Sequence, residues 1–430
     1  MNGDIKKMSN YKNFEKSVAN KINLPRNVAS IINKLEADGY EAYIVGGCVR
    51  DSLLGLEPHD WDICTSALPE QVLETFEEYK VLLTGLQHGT VTVMIDNNLY
   101  EITSFRVENE YSDNRHPSKV KFVSKLKLDL MRRDFTINAM AYNDRSGLID
   151  LFGGAKDLHN KIIRCVGNPD ERFAEDALRM LRAIRFAVRF NYTIDEKTMA
   201  SLLKHKDLLK NISKERICSE LTQMFSYTNL IDLASPIKAL VDLLKPIVPE
   251  LYLIDPYEIC RRLIRSNPTF EVRLATLFDF QDIETILKRL RFSNKTISNV
   301  SSIRNYGHKI YDERLTWSKN RYKYYSRKLL HDLGYKNARL AIEYAILLSE
   351  DERTTLLLML LDYFVKVSKN DGSVYTLSKL DIDGKDLITL GYRGKQIGDI
   401  LNYLLDMVMR GRILNRKQEL IWLVSKMELE

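Results

Sequence analysis

Apolar and polar positions change period partway along the chain. Up to residue 168, short runs rich in Val, Ile, Thr and Tyr alternate with breaks of Gly, Asn, Asp and Pro, as strands and turns do; from Asp170 onward the spacing becomes that of amphipathic helices almost throughout. This predicts an α+β fold, a mixed sheet with helices followed by an all-α remainder, with a boundary near Asn168-Pro169. Within the first part, Val28, Ile31, Ile32 and Leu35 mark one face of a helix over 25–38, stopped by Gly39. Residues 41–45 read as a strand, 48–54 as a helix and 60–65 as a second strand. A helix over 69–78 and a short strand over 81–83 precede a hairpin of 90–95 with 99–105, turning at Asp96-Asn97-Asn98, and a further hairpin turns at 144–147. Residues 107–122, polar, interrupted by Pro117 and without period, predict a long loop of the kind that moves during turnover.

Composition narrows the class without naming a function. Of 430 residues, 45% are hydrophobic and 28% charged, which is ordinary for a soluble chain long enough for about two to four domains. No run approaches the roughly 20 apolar residues of a membrane span, and the polar start MNGDIKKMSNYKNFEK lacks a signal-peptide core, so a cytoplasmic protein with no membrane partner is expected. Five scattered cysteines without C-x-x-C spacing predict reduced core residues rather than disulfides or a zinc site. The net charge of +6 permits nucleic-acid binding without requiring it.

Candidate chemistry concentrates in 44–65. A strand, the Gly46-Gly47 turn and a helix start would offer free N–H groups and a favourable dipole to a triphosphate, with Arg50 as a forked donor. Asp60 and Asp62, at i and i+2 of an expected strand, face one way and can share divalent cations. Separately, a double Gly is usually a tight turn and a D-x-D usually a solvated edge; it is their order and separation that carry the reading.

The stretch Gly46-Gly47-Cys48-Val49-Arg50-Asp51 followed by Asp60-Trp61-Asp62 resembles the signature of the polymerase-β-like nucleotidyltransferases. It is more closely similar to the class II tRNA CCA-adding enzymes and bacterial poly(A) polymerases, whose first motif reads GG-x-V-R-D then D-x-D. The resemblance continues in order. Glu101, in EITSFR, matches a third inward carboxylate of the family, where the residues alone leave an edge-strand Glu in solvent equally open. Arg132-Arg133-Asp134 with FTINA matches the second motif, implying Arg133 on a triphosphate oxygen and Asp134 on a ribose hydroxyl. The helix predicted over 175–190 carries Asp176, Arg179, Arg182, Arg185 and Arg189, and its four arginines are expected to face solvent, a partner or a ligand. On that helix Asp176 and Arg179 would lie one turn apart on one face. An acceptor beside a donor complements the edges of both cytosine and adenine. The family's E-D-x-x-R motif selects CTP and ATP in this way, and Arg182 and Arg185 would continue toward the phosphates or base. SKERI at 213–217 resembles a neck motif, with Ser213 as an N-cap.

Further on, Lys319, Arg321 and Lys323 interleave with Tyr322, Tyr324 and Tyr325, a pattern suited to an RNA backbone and bases but equally to a solvated helix face. Arg393 and Lys395, on a Gly-rich turn in a stretch similar to the family's tail, are a second candidate RNA contact. His331-Asp332 is a His-Asp doublet outside the 44–65 stretch, and further ligands for a metal-dependent phosphohydrolase are not evident among seven His.

The resemblance is strong over the first ~220 residues and loose beyond. It implies a nucleotidyltransferase head (1–168), a base-recognising neck (169–225), a body (226–315) and a tRNA-binding tail (316–430). The implied reaction adds CCA to tRNA from CTP and ATP, with Mg²⁺ on Asp60 and Asp62, pyrophosphate leaving, and the tRNA met at its acceptor end and elbow. An A-adding partner of a split CC/A system and a bacterial poly(A) polymerase share most of these residues; GLQHGTVTV at 85–93 looks like the CCA-adding form. A catalytically silent RNA-binding module is the non-enzymatic alternative, and the retained carboxylates speak against it. No G-x-G-x-x-G follows a strand, which excludes a dinucleotide-binding dehydrogenase.

Overall fold

Val28, Ile31, Ile32 and Leu35 are the buried face of helix α1 (Arg26–Ala37), and Gly39, at φ +89°, turns the chain into β1 (Ala42–Val45). The computed structural model describes residues 22–83, 85–111, 117–227, 234–266, 269–313, 319–349, 354–369 and 374–427. The chain divides into two units, 1–260 and 261–430.

In the first unit, α2 (Gly47–Leu53), β2 (Ile63–Thr65), α3 (Pro69–Thr75), β3 (Lys80–Leu82), β4 (Thr90–Ile95) and β5 (Asn98–Ser104) follow β1. A ribbon, β6 (Arg106–Tyr111) with β7 (Pro117–Phe122), leads to α4 (Leu126–Met131), β8 (Met140–Asn143) and β9 (Gly147–Asp150). The main sheet has the order β3-β4-β5-β2-β1-β8-β9. Only β2 and β5 run parallel (Ile63↔Ile102); the other neighbours are antiparallel, so the sheet is mixed as expected. β1 lies near its centre and is buried at every position, which is why its sequence is a continuous apolar run rather than an alternation. The β4–β5 hairpin turns on Asp96 and Asn97, both at positive φ (49° and 61°), the conformation that a two-residue hairpin turn requires and that Asp and Asn tolerate.

Two expectations for this region are corrected. The second strand begins at Ile63, not Asp60: its ladder with β5 starts at Ile63↔Ile102, and ahead of it only the Asp62 carbonyl is bonded, to Val45 N–H at 3.0 Å. Residues 107–122 are not simply a loop, because Arg106 pairs with Phe122 and Tyr111 with Pro117. A ribbon that pairs only with itself has no sheet face to bury, so its sequence shows no apolar alternation. Asp113 and Arg115 lie outside the described residues.

After α5 (Gly154–His159) and β10 (Ile162–Ile163) come α6 (Pro169–Glu175), α7 (Leu178–Phe190), β11 (Thr193–Ile194), α8 (Glu196–Lys204), α9 (Lys214–Phe225), α10 (Ala234–Leu244) and α11 (Pro256–Arg265). Asn168 caps α6, its side chain accepting from Asp170 N–H at 3.1 Å, with Pro169 in the first turn. Ser213 occupies the N-cap position of α9 without a side-chain cap bond.

The second unit contains α12 (Phe270–Leu277), α13 (Ile283–Arg289), α14 (Asn294–Glu313), α15 (Lys319–Leu348), α16 (Thr354–Ser368), α17 (Gly384–Thr389), α18 (Lys395–Met409) and α19 (Lys417–Ser425). α15 breaks at Gly334 (φ 69°, ψ 173°). Leu357, Leu360 and Phe364 anchor one core here, and Leu404, Leu405, Leu420 and Val424 another. Four of the five cysteines are buried and all are free. Among the described residues no helix is long and apolar enough to cross a membrane.

Candidate functional site

The floor of the site is the turn after β1. Gly46 has φ +81°, which favours glycine, and the Arg133 guanidinium lies across it, Nη1 standing 2.9 Å from where a Cβ would be. From α2, Arg50 donates to Asp51 (2.8 Å) and to Asn138, and its guanidinium carbon stands 5.3 and 4.8 Å from the ring centres of Phe186 and Phe190. Burial lowers its pKa, which Asp51 opposes. Arg50 is therefore a held donor at the cleft wall.

Gly46, Gly47, Arg50, Asp60, Asp62, Arg133, Asp134, Asp176, Arg179, Arg182 and Arg185 all border one cleft of about 630 Å³. Glu101 does not; it borders the adjoining cavity, which Asp60 and Asp62 share. Burial raises the pKa of Asp62, the Asp60 charge raises it further, and Arg133 opposes both. Two acids that border the same space, one of them disfavoured as an anion by burial and by its neighbour, fit a divalent cation. Among the described residues no three His, Cys, Asp or Glu side chains cluster closely enough to hold a metal, so the fit rests on this pair.

Opposite lies the corner after α4. Asp129 is fully buried and accepts from Arg132 at 2.8 and 3.0 Å and from Arg133 at 3.2 Å. Asp134 accepts from Asn138 (3.0 Å) and Phe135 N–H (2.8 Å) on one oxygen, and from Arg182 (2.6 and 2.9 Å) on the other. Burial alone would raise its pKa, but Arg182, Asn138 and Arg179 outweigh it and hold the carboxyl at about 2. Asp134 is thus a fixed anion between sheet and helix, with its oxygens already engaged.

The predicted helix over 175–190 is corrected. α6 ends at Glu175, Asp176 is extended (φ −142°, ψ 103°), and α7 starts at Leu178. The Asp176 carboxylate instead accepts Leu178 N–H at 3.0 Å, a local bond that competes with helix continuation. Arg216 grips both its oxygens at 2.7 and 3.2 Å. Arg179 donates to Glu175 (2.6 Å) and to the carbonyls of Arg132 (3.1 Å) and Arg172 (3.2 Å). All four arginines border the cleft, as a ligand-facing set would; Arg179 and Arg185 are buried there, and Arg185 donates to buried Glu220 at 2.6 Å. Ion pairing offsets the desolvation of the two buried ones. Arg189 reaches Asp51 at 3.3 Å.

Sequence reasoning missed Asp129, Asn138 and Glu220, and left Arg216 as part of a motif without a role. Asp129 stands three and four residues before the Arg pair, the one signal that marked it. Glu220 had none, because its partners are distant in sequence.

In the second unit, Arg321, Lys323, Arg393 and Lys395 are exposed, and the Lys319 side chain lies outside the described residues. The tyrosines among them are corrected. Tyr322 is buried against Tyr363, Tyr324 donates to Asp406 (2.8 Å), and Tyr325 donates to Glu313, so these rings serve the core and its rim rather than nucleobases. His331 and Asp332 are engaged separately, with the Tyr375 carbonyl (3.0 Å) and the Tyr306 hydroxyl (3.0 Å).

Two family models match the chain: "Poly A polymerase head domain" over 42–164 and "Probable RNA and SrmB- binding site of polymerase A" over 191–251. The CCA-adding enzyme of Levilactobacillus brevis is 35% identical over 408 residues, covering 92% of this chain and 96% of that protein. That of Enterococcus faecalis is 33% identical over 417 residues, covering 93% and 96%. The crystal structure of the Bacillus stearothermophilus CCA-adding enzyme in complex with CTP superposes with a TM-score of 0.70 at 28% identity, covering 93% of this chain and 96% of that one. With the glycine turn, the carboxylate pair and the arginine-lined wall assembled in one cleft, these full-length relationships place the chain in the CCA-adding enzyme family of nucleotidyltransferases.

Proposed function

We propose that this protein adds CCA to the 3′ end of tRNA without a nucleic-acid template, using CTP and ATP and releasing pyrophosphate. The observation that carries this reading is the single cleft that holds Asp60 and Asp62 on one side and Arg133, Asp176 and Arg179 on the other. It offers a place for cation-bound phosphates beside an acceptor and a donor able to read a base edge. The relative from Bacillus stearothermophilus is similar over nearly the whole chain and its structure holds CTP.

Asp60 and Asp62 would hold Mg²⁺, which when bound supplies charge neutralisation at the attacking 3′-hydroxyl and at the departing pyrophosphate. Arg133, overhanging Gly46, binds a triphosphate oxygen, and Arg50 and Asn138 stiffen the wall behind it. Asp134 anchors Arg182, and a ribose hydroxyl would reach it only by sharing an oxygen that Arg182 or Asn138 already engages. Glu101 adds negative charge from the adjoining cavity. Asp176 and Arg179 read the amino group and ring nitrogen shared in pattern by cytosine and adenine, while guanine and uracil present the opposite pattern. Positioning and electrostatics supply most of the catalysis in such chemistry. Residues 1–168 are the catalytic head and 169–225 the neck, followed by a body (226–315) and a tail (316–430) whose exposed Arg321, Lys323, Arg393 and Lys395 suit the phosphates of tRNA. A cytoplasmic location would suit a tRNA substrate.

The test supplies a tRNA transcript ending at the discriminator base with CTP alone, ATP alone and both. Two residues added with CTP and three with both support the reading. Extension by ATP only on a transcript already ending in CC identifies an A-adding enzyme, and long A tracts on any RNA identify a poly(A) polymerase.

A further inference from the structure

We propose that Asp129 is a positioning residue that sets phosphate contact and base selection together, its carboxylate being shared between Arg133, which overhangs the Gly46 turn, and Arg132, whose main-chain carbonyl receives Arg179. The inference deepens the reading above and rests on it. Asp129 is wholly enclosed, with no access to water. A buried carboxylate is tolerable only when opposing charges satisfy it, and here two do so. Oδ2 accepts from Arg133 Nη2 at 3.2 Å, while Oδ1 accepts from Arg132 Nε and Nη2 at 3.0 and 2.8 Å. The same Oδ1 stands 3.4 Å from the N–H of Arg106, the first residue of β6.

The consequences run in two directions. Holding Arg133 by Nη2 leaves Nη1 turned across Gly46, the side on which the phosphates lie in the proposed reaction. Holding the Arg132 side chain fixes the end of α4, and the Arg132 carbonyl then accepts from Arg179 Nη2 at 3.1 Å. The guanidinium that reads the base is thereby set from the same carboxylate that sets the phosphate arginine. A loss of charge at Asp129 should disturb both at once, although Asp129 does not border the cleft itself.

The test is Asp129→Asn in the full chain, nearly the same shape without the charge. Three quantities are read on protein shown folded by its melting curve. They are inhibition by inorganic tripolyphosphate, which occupies only a phosphate site; KM and kcat for CTP and ATP; and the ratio of CTP and ATP to UTP and GTP incorporation. We expect tripolyphosphate inhibition to weaken about tenfold, KM to rise by a similar factor with a smaller fall in kcat, and the incorporation ratio to drop. A folded variant with tripolyphosphate inhibition and selectivity both unchanged overturns the proposal, and a change in only one of them overturns the coupling. If Asp129→Asn does not fold, Arg132→Lys keeps the charge and the carbonyl but loses the two-pronged grip, and unchanged selectivity in that variant is equally fatal. Direct tripolyphosphate binding to wild type and Asp129→Asn is also measured without tRNA, so a wild-type protein that fails to extend tRNA would refute the proposed function while the phosphate half of this comparison is still read.

Discussion

Arg216 holds both carboxylate oxygens of Asp176, at 2.7 and 3.2 Å, and so joins α9 to the break between α6 and α7. Because Asp176 lies in extended backbone, helix geometry does not fix its side chain; Arg216 and the Leu178 N–H do. We therefore expect Asp176→Ala and Arg179→Ala to lower CTP and ATP use and to raise relative UTP and GTP incorporation, with about 1–3 kcal/mol of discrimination lost. Arg216→Gln should act in the same direction. Competition between labelled nucleotides on one tRNA measures the ratio; an unchanged ratio would reduce these residues to bracing.

Asp60→Ala or Asp62→Ala should abolish incorporation of both nucleotides while tRNA affinity stays nearly intact, since the carboxylates serve the chemistry and other surfaces hold the RNA. Turnover measured beside filter binding checks this. Comparable activity in the double variant would remove the cation from this pair.

Asp134 should make stability depend on acid. Its folded-state carboxyl is held at about 2, below the roughly 3.9 of an unfolded Asp, so the folded state gains from its ionisation above about pH 4 and loses that gain as pH falls toward 2. The contribution at neutral pH is on the order of 2 kcal/mol. Asp134→Asn should be destabilised at pH 7 by at least this amount, and the gap to wild type in urea unfolding should narrow between pH 4 and 2. A constant gap would mean that the Arg182 pair does not set this titration.

Shortening the β6–β7 ribbon by several residues should leave C addition largely intact and suppress the terminal A. One pocket must take a pyrimidine and then a larger purine through the same pair of side chains, so some element has to reposition between the second and third steps. A ribbon paired only with itself can move without disturbing the main sheet. Product length on a sequencing gel decides the matter: normal CCA completion refutes the role, and equal loss of C and A addition indicates a damaged fold.

The amino-acid sequence determined what depends on near neighbours. The buried face of α1, the Asp96-Asn97 turn, the glycine turn with Asp60 and Asp62 and the passage to helices after Asn168 were legible because periodicity, turn preference and spacing act within a few residues, and the Arg133-Asp134 corner was legible only through its resemblance to a family motif. Tertiary structure decided which charges meet. Arg185 finds Glu220 across 35 residues, Asp176 finds Arg216 across 40 and Arg182 finds Asp134 across 48. Arg185 and Glu220 are stable in the interior only because the fold takes both out of water together, and the other two pairs are partly buried at the cleft. That is why Arg179 and Arg185 can be buried at the cleft, why the helix expected through Asp176 is broken, and why Asp129 showed no role until its two arginines were seen around it. The separation of Glu101 into the adjoining cavity has the same origin: alternation along β5 fixes its face, but only the packed sheet fixes which cavity that face borders.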